Sequence, residues 1–256
     1  VDPSPWPIIT AFSAFTMLGG AALYLHRFEH GLFLLFFGLI LVALTAGFWW
    51  RDVIREATFE GQHTAAVQRS MRLGMLFFII TEALLFSGFF WAFFHSSLAP
   101  NYAIGGVWPP RGITPINPWE VPLLNTFILL TSGATLTWAH HALKAGVSSE
   151  ARLGLIITVV LAAIFTGLQF HEYQHATFSI ADSVYGSTFF LITGFHGSHV
   201  IIGTLFLSVS LYRIMKTHFT RNHHTGFLCA IWYWHFVDIV WILVFFGLYF
   251  RPAYAF

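Results

Sequence analysis

Apolar residues run along this chain in seven long blocks, at 8–25, 31–50, 73–94, 121–143, 153–170, 184–212 and 225–250, with polar segments between them. A helix that crosses hydrocarbon needs about 20 such residues. The fifth block is the shortest, and the sixth is long enough to tilt or to project beyond a bilayer. Within each block the apolar residues occupy every face. A membrane barrel would instead show strands of about ten residues alternating apolar and polar. Helices and closed barrels are the structures that satisfy the backbone in lipid, so the pattern predicts an all-α, polytopic protein with seven transmembrane helices.

The polar segments carry the sidedness. Segments 51–72, 144–152 and 213–224 hold Arg51, Arg55, Arg69, Arg72, Lys144, Arg152, Arg213, Lys216 and Arg221, whereas the alternate segments hold Arg27, Arg111 and Arg251. Nine basic residues against three, in register with seven crossings, follow the positive-inside rule. The N-terminus is then expected on the matrix or cytoplasmic side and the C-terminus opposite. Segment 51–72 mixes Arg51, Asp52, Arg55, Glu56 and Glu60, a composition suited to an interfacial stretch among lipid headgroups. Segment 96–120 carries Pro100, Pro109, Pro110, Pro115 and Pro118 with Gly105, Gly106 and Gly112, which predicts a rigid, turn-rich loop on the other surface.

Composition supports the membrane assignment: 57% of residues are hydrophobic and 9% charged, with a mean hydropathy of +0.71, against about 25% charged in a soluble domain. A net charge of +1 supplies no field for nucleic acid. Cys229, the single cysteine, excludes an intramolecular disulfide and a cysteine-cluster metal site, and falls in an apolar block as a small buried hydrophobe. The chain opens on Val1 rather than Met, which reads as processed or partial. Its first apolar block leads straight into a second, unlike a cleavable signal peptide.

Candidate chemistry is sparse. Glu82 lies about ten residues into its block, about 15 Å along a helix and near the midplane. A charge there costs a few kcal/mol or more. Two readings stand: a proton-linked carboxyl, or a neutral carboxyl hydrogen-bonded to a neighbouring helix. His235 and Asp238 are three residues apart and share a helix face, as a polar pair that holds helices together or as a proton or ligand site. The chain has 14 histidines. His196 and His199 share one face, His140–His141 and His223–His224 sit at helix ends, and His171 and His175 bracket the end of the fifth block. A haem or copper centre needs histidines from facing helices at one depth, so no metal site is expected. His196 and His199 would be its place if one existed. No phosphate-binding glycine loop, nucleophile elbow or HExxH motif is present, and no catalytic residue is assigned. Gly19–Gly20 and Gly194 with Gly197 are spaced for close helix approach, with ordinary packing as the plainer reading. No repeat of fixed period is visible.

Longer motifs add a family. WWRDVIREATFEGQHT (49–64), FFWAFFHSSLAP (89–100), WPPRGI (108–113), PLLNT (122–126), TWAHH (137–141), YGSTFF (185–190), TGFHGSHVIIGTLFL (193–207) and WYWHFVD (232–238) follow one another across nearly the whole chain. Together they resemble subunit III of cytochrome c oxidase, and the opening DPSPWP (2–7) resembles the mitochondrial form. The resemblance implies seven helices in two bundles, helices one and two and helices three to seven, separated by a V-shaped cleft that holds phospholipid. Domains would then run 1–72 and 73–256. It implies lipid contacts at Trp50, Arg55, Glu56, His63 and Arg213, and makes Glu82 the family's intramembrane carboxyl. It implies a non-redox subunit of a mitochondrial inner-membrane oxidase that braces subunit I, holds lipids that guide oxygen and supports proton uptake. Haem a, haem a3 and the copper centres would lie in subunits I and II. Expected partners are those subunits, accessory subunits, phospholipids (cardiolipin, phosphatidylethanolamine or phosphatidylglycerol) and cytochrome c as substrate of the complex, with no nucleic acid. Two departures stand out: Leu228 replaces the glutamate of the usual HHxGFE, and the tail 250–256 replaces a short Trp/Gly ending.

Two other readings compete. A free-standing proton conductor using Glu82 and Asp238 would show an inverted repeat and broken midplane helices, and the sequence carries neither. A quinol oxidase subunit III would lack the first two helices in this position, so those helices and the VDPSPWP opening favour cytochrome c as donor.

Overall fold

The computed structural model describes residues 3–254; Val1, Asp2, Ala255 and Phe256, and with them the ends of the DPSPWP and tail motifs, lie outside the described residues. Seven long helices follow in order: α1 (Trp6–Leu25), α2 (Gly31–Thr58), α3 (Ala65–Leu98), α4 (Val121–Ala145), α5 (Ser148–His175), α6 (Val184–Met215) and α7 (Thr225–Val244). A π-helical turn, Phe245–Phe250, extends α7, and the short α8 (Arg251–Tyr254) follows. All seven apolar blocks are helices long and apolar enough to cross a membrane, and no strand occurs among the described residues.

Helix ends follow local chemistry. Pro7 and Pro122 occupy the first turns of α1 and α4, where a missing N–H does no harm. The Ser183 hydroxyl accepts the Gly186 N–H to start α6. Gly146, at φ 85°, closes α4 in a left-handed conformation suited to glycine. Several helices outrun their apolar blocks. Instead of ending at 50, α2 reaches Thr58, and α3 starts at Ala65 rather than 73. The charged stretch is therefore mostly helix, because Arg and Glu are good helix formers and no glycine intervenes before Gly61. Nor is the fifth helix short: it gains a turn or more at both ends.

The chain divides into two compact units, Val1–Arg69 and Ser70–Phe256. In the first, α1 and α2 form an antiparallel pair. Their buried residues are small and seven apart: Ser13 and Gly20 on α1, and Gly31, Gly38 and Thr45 on α2. Such a stripe lets backbones touch. A Cβ at Gly20 would strike the backbone of Leu34 and Leu35, and one at Gly38 would strike Met17. Gly19, by contrast, has nothing within 4 Å. The far end is tied by Trp6 Nε1, which donates to Asp52 Oδ2 at 2.7 Å, and by the Trp6 ring stacked on Phe48 at 5.6 Å.

In the second unit α7 is the central post. Buried residues make up 67% of the most apolar 18-residue stretch within Thr225–Phe250, against 11% of the corresponding stretch of α3. The Trp234 indole donates to Ser132 Oγ on α4 at 2.9 Å, and Trp241 donates to Thr126 Oγ1 at 3.0 Å. Gly203 on α6 makes room for the Trp234 ring. Thr135 and Thr158 join α4 to α5 at 2.9 Å, close to Gly154. Phe93, Phe165, Phe189, Tyr185 and Tyr249 fill the interior, with Phe165 edge to face on Trp241, Phe189 edge to face on Tyr249 and Tyr185 stacked on Phe189. Trp241→Phe is expected to keep the fold but lower stability by about 1–2 kcal/mol, one hydrogen bond plus a small cavity. Thermal inactivation of the purified protein measures it.

Candidate functional site

The intramembrane carboxyl has a partner on another helix. Glu82 on α3 and His199 on α6 approach at 2.8 Å between Oε2 and Nε2. The other ring nitrogen, His199 Nδ1, lies 2.7 Å from the Phe195 carbonyl. A carbonyl only accepts, so Nδ1 carries hydrogen. In a neutral ring Nε2 then accepts, and Glu82 is the donor. Phe86 and Tyr233 flank the imidazole. One proton is thus held between two helices in an aromatic setting, with 18% of the Glu82 side chain exposed.

His196 does not join this pair. It sits one turn away, buried between Phe165 and Trp241, with Nε2 3.2 Å from the Val237 carbonyl on α7. His235 and Asp238 do meet, at 3.4 Å between Nδ1 and Oδ2, and His235 Nε2 lies 3.3 Å from Thr137 Oγ1 on α4. Gly133 gives the Asp238 carboxyl its room against α4, where a Cβ would collide with Oδ2. His140 and His224 face each other, 3.3 Å between Nε2 atoms. His224 Nδ1 donates to the Thr220 carbonyl, so in a neutral His224 ring Nε2 accepts and His140 supplies the shared hydrogen. Among the described residues no three His, Cys, Asp or Glu side chains are grouped to hold a metal ion.

The basic candidates lie at helix ends. In the first unit Trp50 is exposed, and the Arg55 guanidinium, 61% exposed, stands 3.8 Å from Glu60. Glu56 stands 3.9 Å from the mostly buried His63. In the second unit Arg213, in the last turn of α6, lies over the Phe219 ring at 4.2 Å. Gly226 leaves space for its Nη1. Burial, then the Arg213 and Lys216 charges, hold the nearby His218 imidazole below its ordinary pKa. The local positive charge at neutral pH is therefore that of Arg213 and Lys216. A guanidinium at the end of an apolar span suits a phosphate headgroup.

Sequence reasoning misses one buried acid. Glu172 lies two residues beyond the fifth apolar block, yet only 5% of it is exposed. The available signal was Gln169 three residues earlier, on the same face.

Comparison with known proteins gives one family. Residues 1–253 match the family described as Cytochrome c oxidase subunit III. The chain is 55% identical over 250 residues to cytochrome c oxidase subunit 3 of Prototheca wickerhamii, covering 98% of this chain and 95% of the relative. It is 56% identical over 249 residues to that of Triticum aestivum, covering 97% and 94%. To that of Scyliorhinus canicula it is 55% identical over 249 residues, covering 97% and 95%.

Proposed function

This chain belongs to the cytochrome c oxidase subunit III family, and on that premise we propose that it is a non-redox core subunit of a mitochondrial oxidase that grips phospholipid. It sits in the inner membrane with its N-terminus on the matrix side, the side given by the nine basic residues. It braces subunit I beside subunit II and accessory chains, and supports proton uptake while the complex passes electrons from cytochrome c to oxygen.

The haem and copper of such a complex do not fit this chain. Two of its best-placed imidazoles are engaged within it: His199 with Glu82 and Phe195, and His224 with His140 and Thr220. His196 stands against the Val237 carbonyl. No step is therefore assigned to a metal here.

The observation that carries the lipid reading is Arg213, a guanidinium held over an aromatic ring where α6 leaves its apolar span. In the first unit the headgroup contacts are assigned to the exposed Trp50, to Arg55 beside Glu60, and to Glu56 beside His63. A charge-assisted hydrogen bond contributes about 1.5–3 kcal/mol, so Arg213→Ala and Arg55→Ala are each expected to weaken anionic-lipid retention by about tenfold or more. Native mass spectrometry of the detergent-purified complex reads both lipids and co-purifying chains. Wild-type lipid occupancy in both variants overturns the lipid sites, and a complex without oxidase chains overturns the subunit assignment.

A further inference from the structure

Glu172 stands in a closed polar quartet inside the second unit. Its companions are Gln169 one turn earlier on α5, Asn125 in the first turns of α4 and Tyr249 in the π-helical turn, none more than 6% exposed. Tyr249 Oη donates to Glu172 Oε1 at 2.6 Å. Gln169 Nε2 donates to the same oxygen at 3.0 Å and lies 3.2 Å from Tyr249 Oη. Asn125 Nδ2 donates to Gln169 Oε1 at 3.4 Å.

The donor and acceptor count leaves two atoms over. Every hydrogen bond to the carboxyl ends on Oε1. Glu172 Oε2 and Asn125 Oδ1 are buried without a partner. Leaving such atoms unmet costs about 1–3 kcal/mol each. Among the described residues no Lys, Arg or His pairs with Glu172, and an ion buried here without a counter-charge would be costlier still.

We infer that Glu172 and Asn125 hold one buried water molecule, with Glu172 as a neutral acid that donates to it through Oε2. Water is the ligand that closes the count, since it accepts from Oε2–H and donates to Asn125 Oδ1, within the two to four bonds usual for an internal water. A metal cation is the rival guest. Hard cations take about six or more oxygens, and the quartet has two to spare. The site lies near one end of α4, α5 and the α7 extension, shares no residue with the Glu82–His199 pair, and does not rest on the lipid reading.

The test uses the assembled complex. E172Q keeps the acceptor at one position and places an N–H donor at the other, so it imitates the neutral acid. Its thermal midpoint is expected to match wild type equally in sodium, potassium and choline buffers. The infrared difference between wild type and E172Q should contain a carboxylic-acid C=O band that shifts in D2O. In N125L that band should move, because the bridging acceptor is gone. Carboxylate bands in its place, or a midpoint that depends on sodium or potassium, overturn the neutral acid. An unmoved band in N125L overturns the water bridge. If E172Q fails to assemble, the wild-type minus N125L difference is read by itself: a shifted pair of carboxylic-acid C=O bands is expected there, and its absence overturns the bridge equally.

Discussion

Gly38→Val separates α1 from α2. The valine Cβ would occupy the same space as the Met17 backbone, and backbone, unlike the tip of a flexible side chain, cannot step aside. Overpacking a tight contact costs about 1–3 kcal/mol and occasionally more. The upper end is expected here because the contact is main chain on main chain, and Gly20→Val should behave alike against Leu35. Gly19→Ala is the control: it meets nothing within 4 Å and should gain up to about 1 kcal/mol from helix propensity. Protease resistance of residues 6–58 and yield of the purified protein measure all three. Wild-type resistance in Gly38→Val would remove the close-packed stripe from the account.

Glu82→Lys is expected to lower complex yield severely, and Glu82→Gln hardly at all. The glutamine amide donates to His199 Nε2 just as the protonated carboxyl does. The lysine brings a charge to the span at about 2.5–3.5 kcal/mol on insertion scales. Glu82→Leu leaves His199 Nε2 as a poorly solvated, unmet acceptor at about 1–3 kcal/mol, whereas removing both partners is nearly neutral. The Glu82→Leu/His199→Leu double variant should therefore recover most of what Glu82→Leu loses. Equal yields for the Gln and Lys variants, or no recovery in the double variant, would show that the pair does not join α3 to α6.

Seven helices were legible because each must be apolar for the length of a bilayer, and that demand is written in every residue of the span. Their ends were not. Arg51 to Thr58 look like a loop by polarity, yet they continue α2, since a helix leaving lipid needs no apolar face. The seven-residue stripe of Ser13, Gly20, Gly31, Gly38 and Thr45 was in plain view as spacing, but the Gly19–Gly20 dipeptide drew attention to adjacency, and only Gly20 touches its neighbour. Gly194 and Gly197 likewise meet nothing within 4 Å, while Gly203 and Gly133 make the close approaches. Glu82 announced itself by its cost in lipid. Its partner His199, 117 positions away, has no local signature, and the His196–His199 spacing marked only where a metal would sit if one existed. Glu172 was hidden by the apolar count, which stops at Phe170, although its bond to Tyr249 spans 77 positions of the chain.

The position of α7 sets an order on biogenesis. Synthesis delivers α3, α4, α5 and α6 before the helix they surround. Until it emerges, Ser132 lacks Trp234, Gly133 lacks Asp238, and His196 lacks the Val237 carbonyl. A nascent chain stalled before residue 225 would show these polar spots to the bilayer or to an insertion chaperone. Truncation there removes one helix in number, but it takes the scaffold of four others, so quality control would meet an unassembled bundle rather than a shortened one.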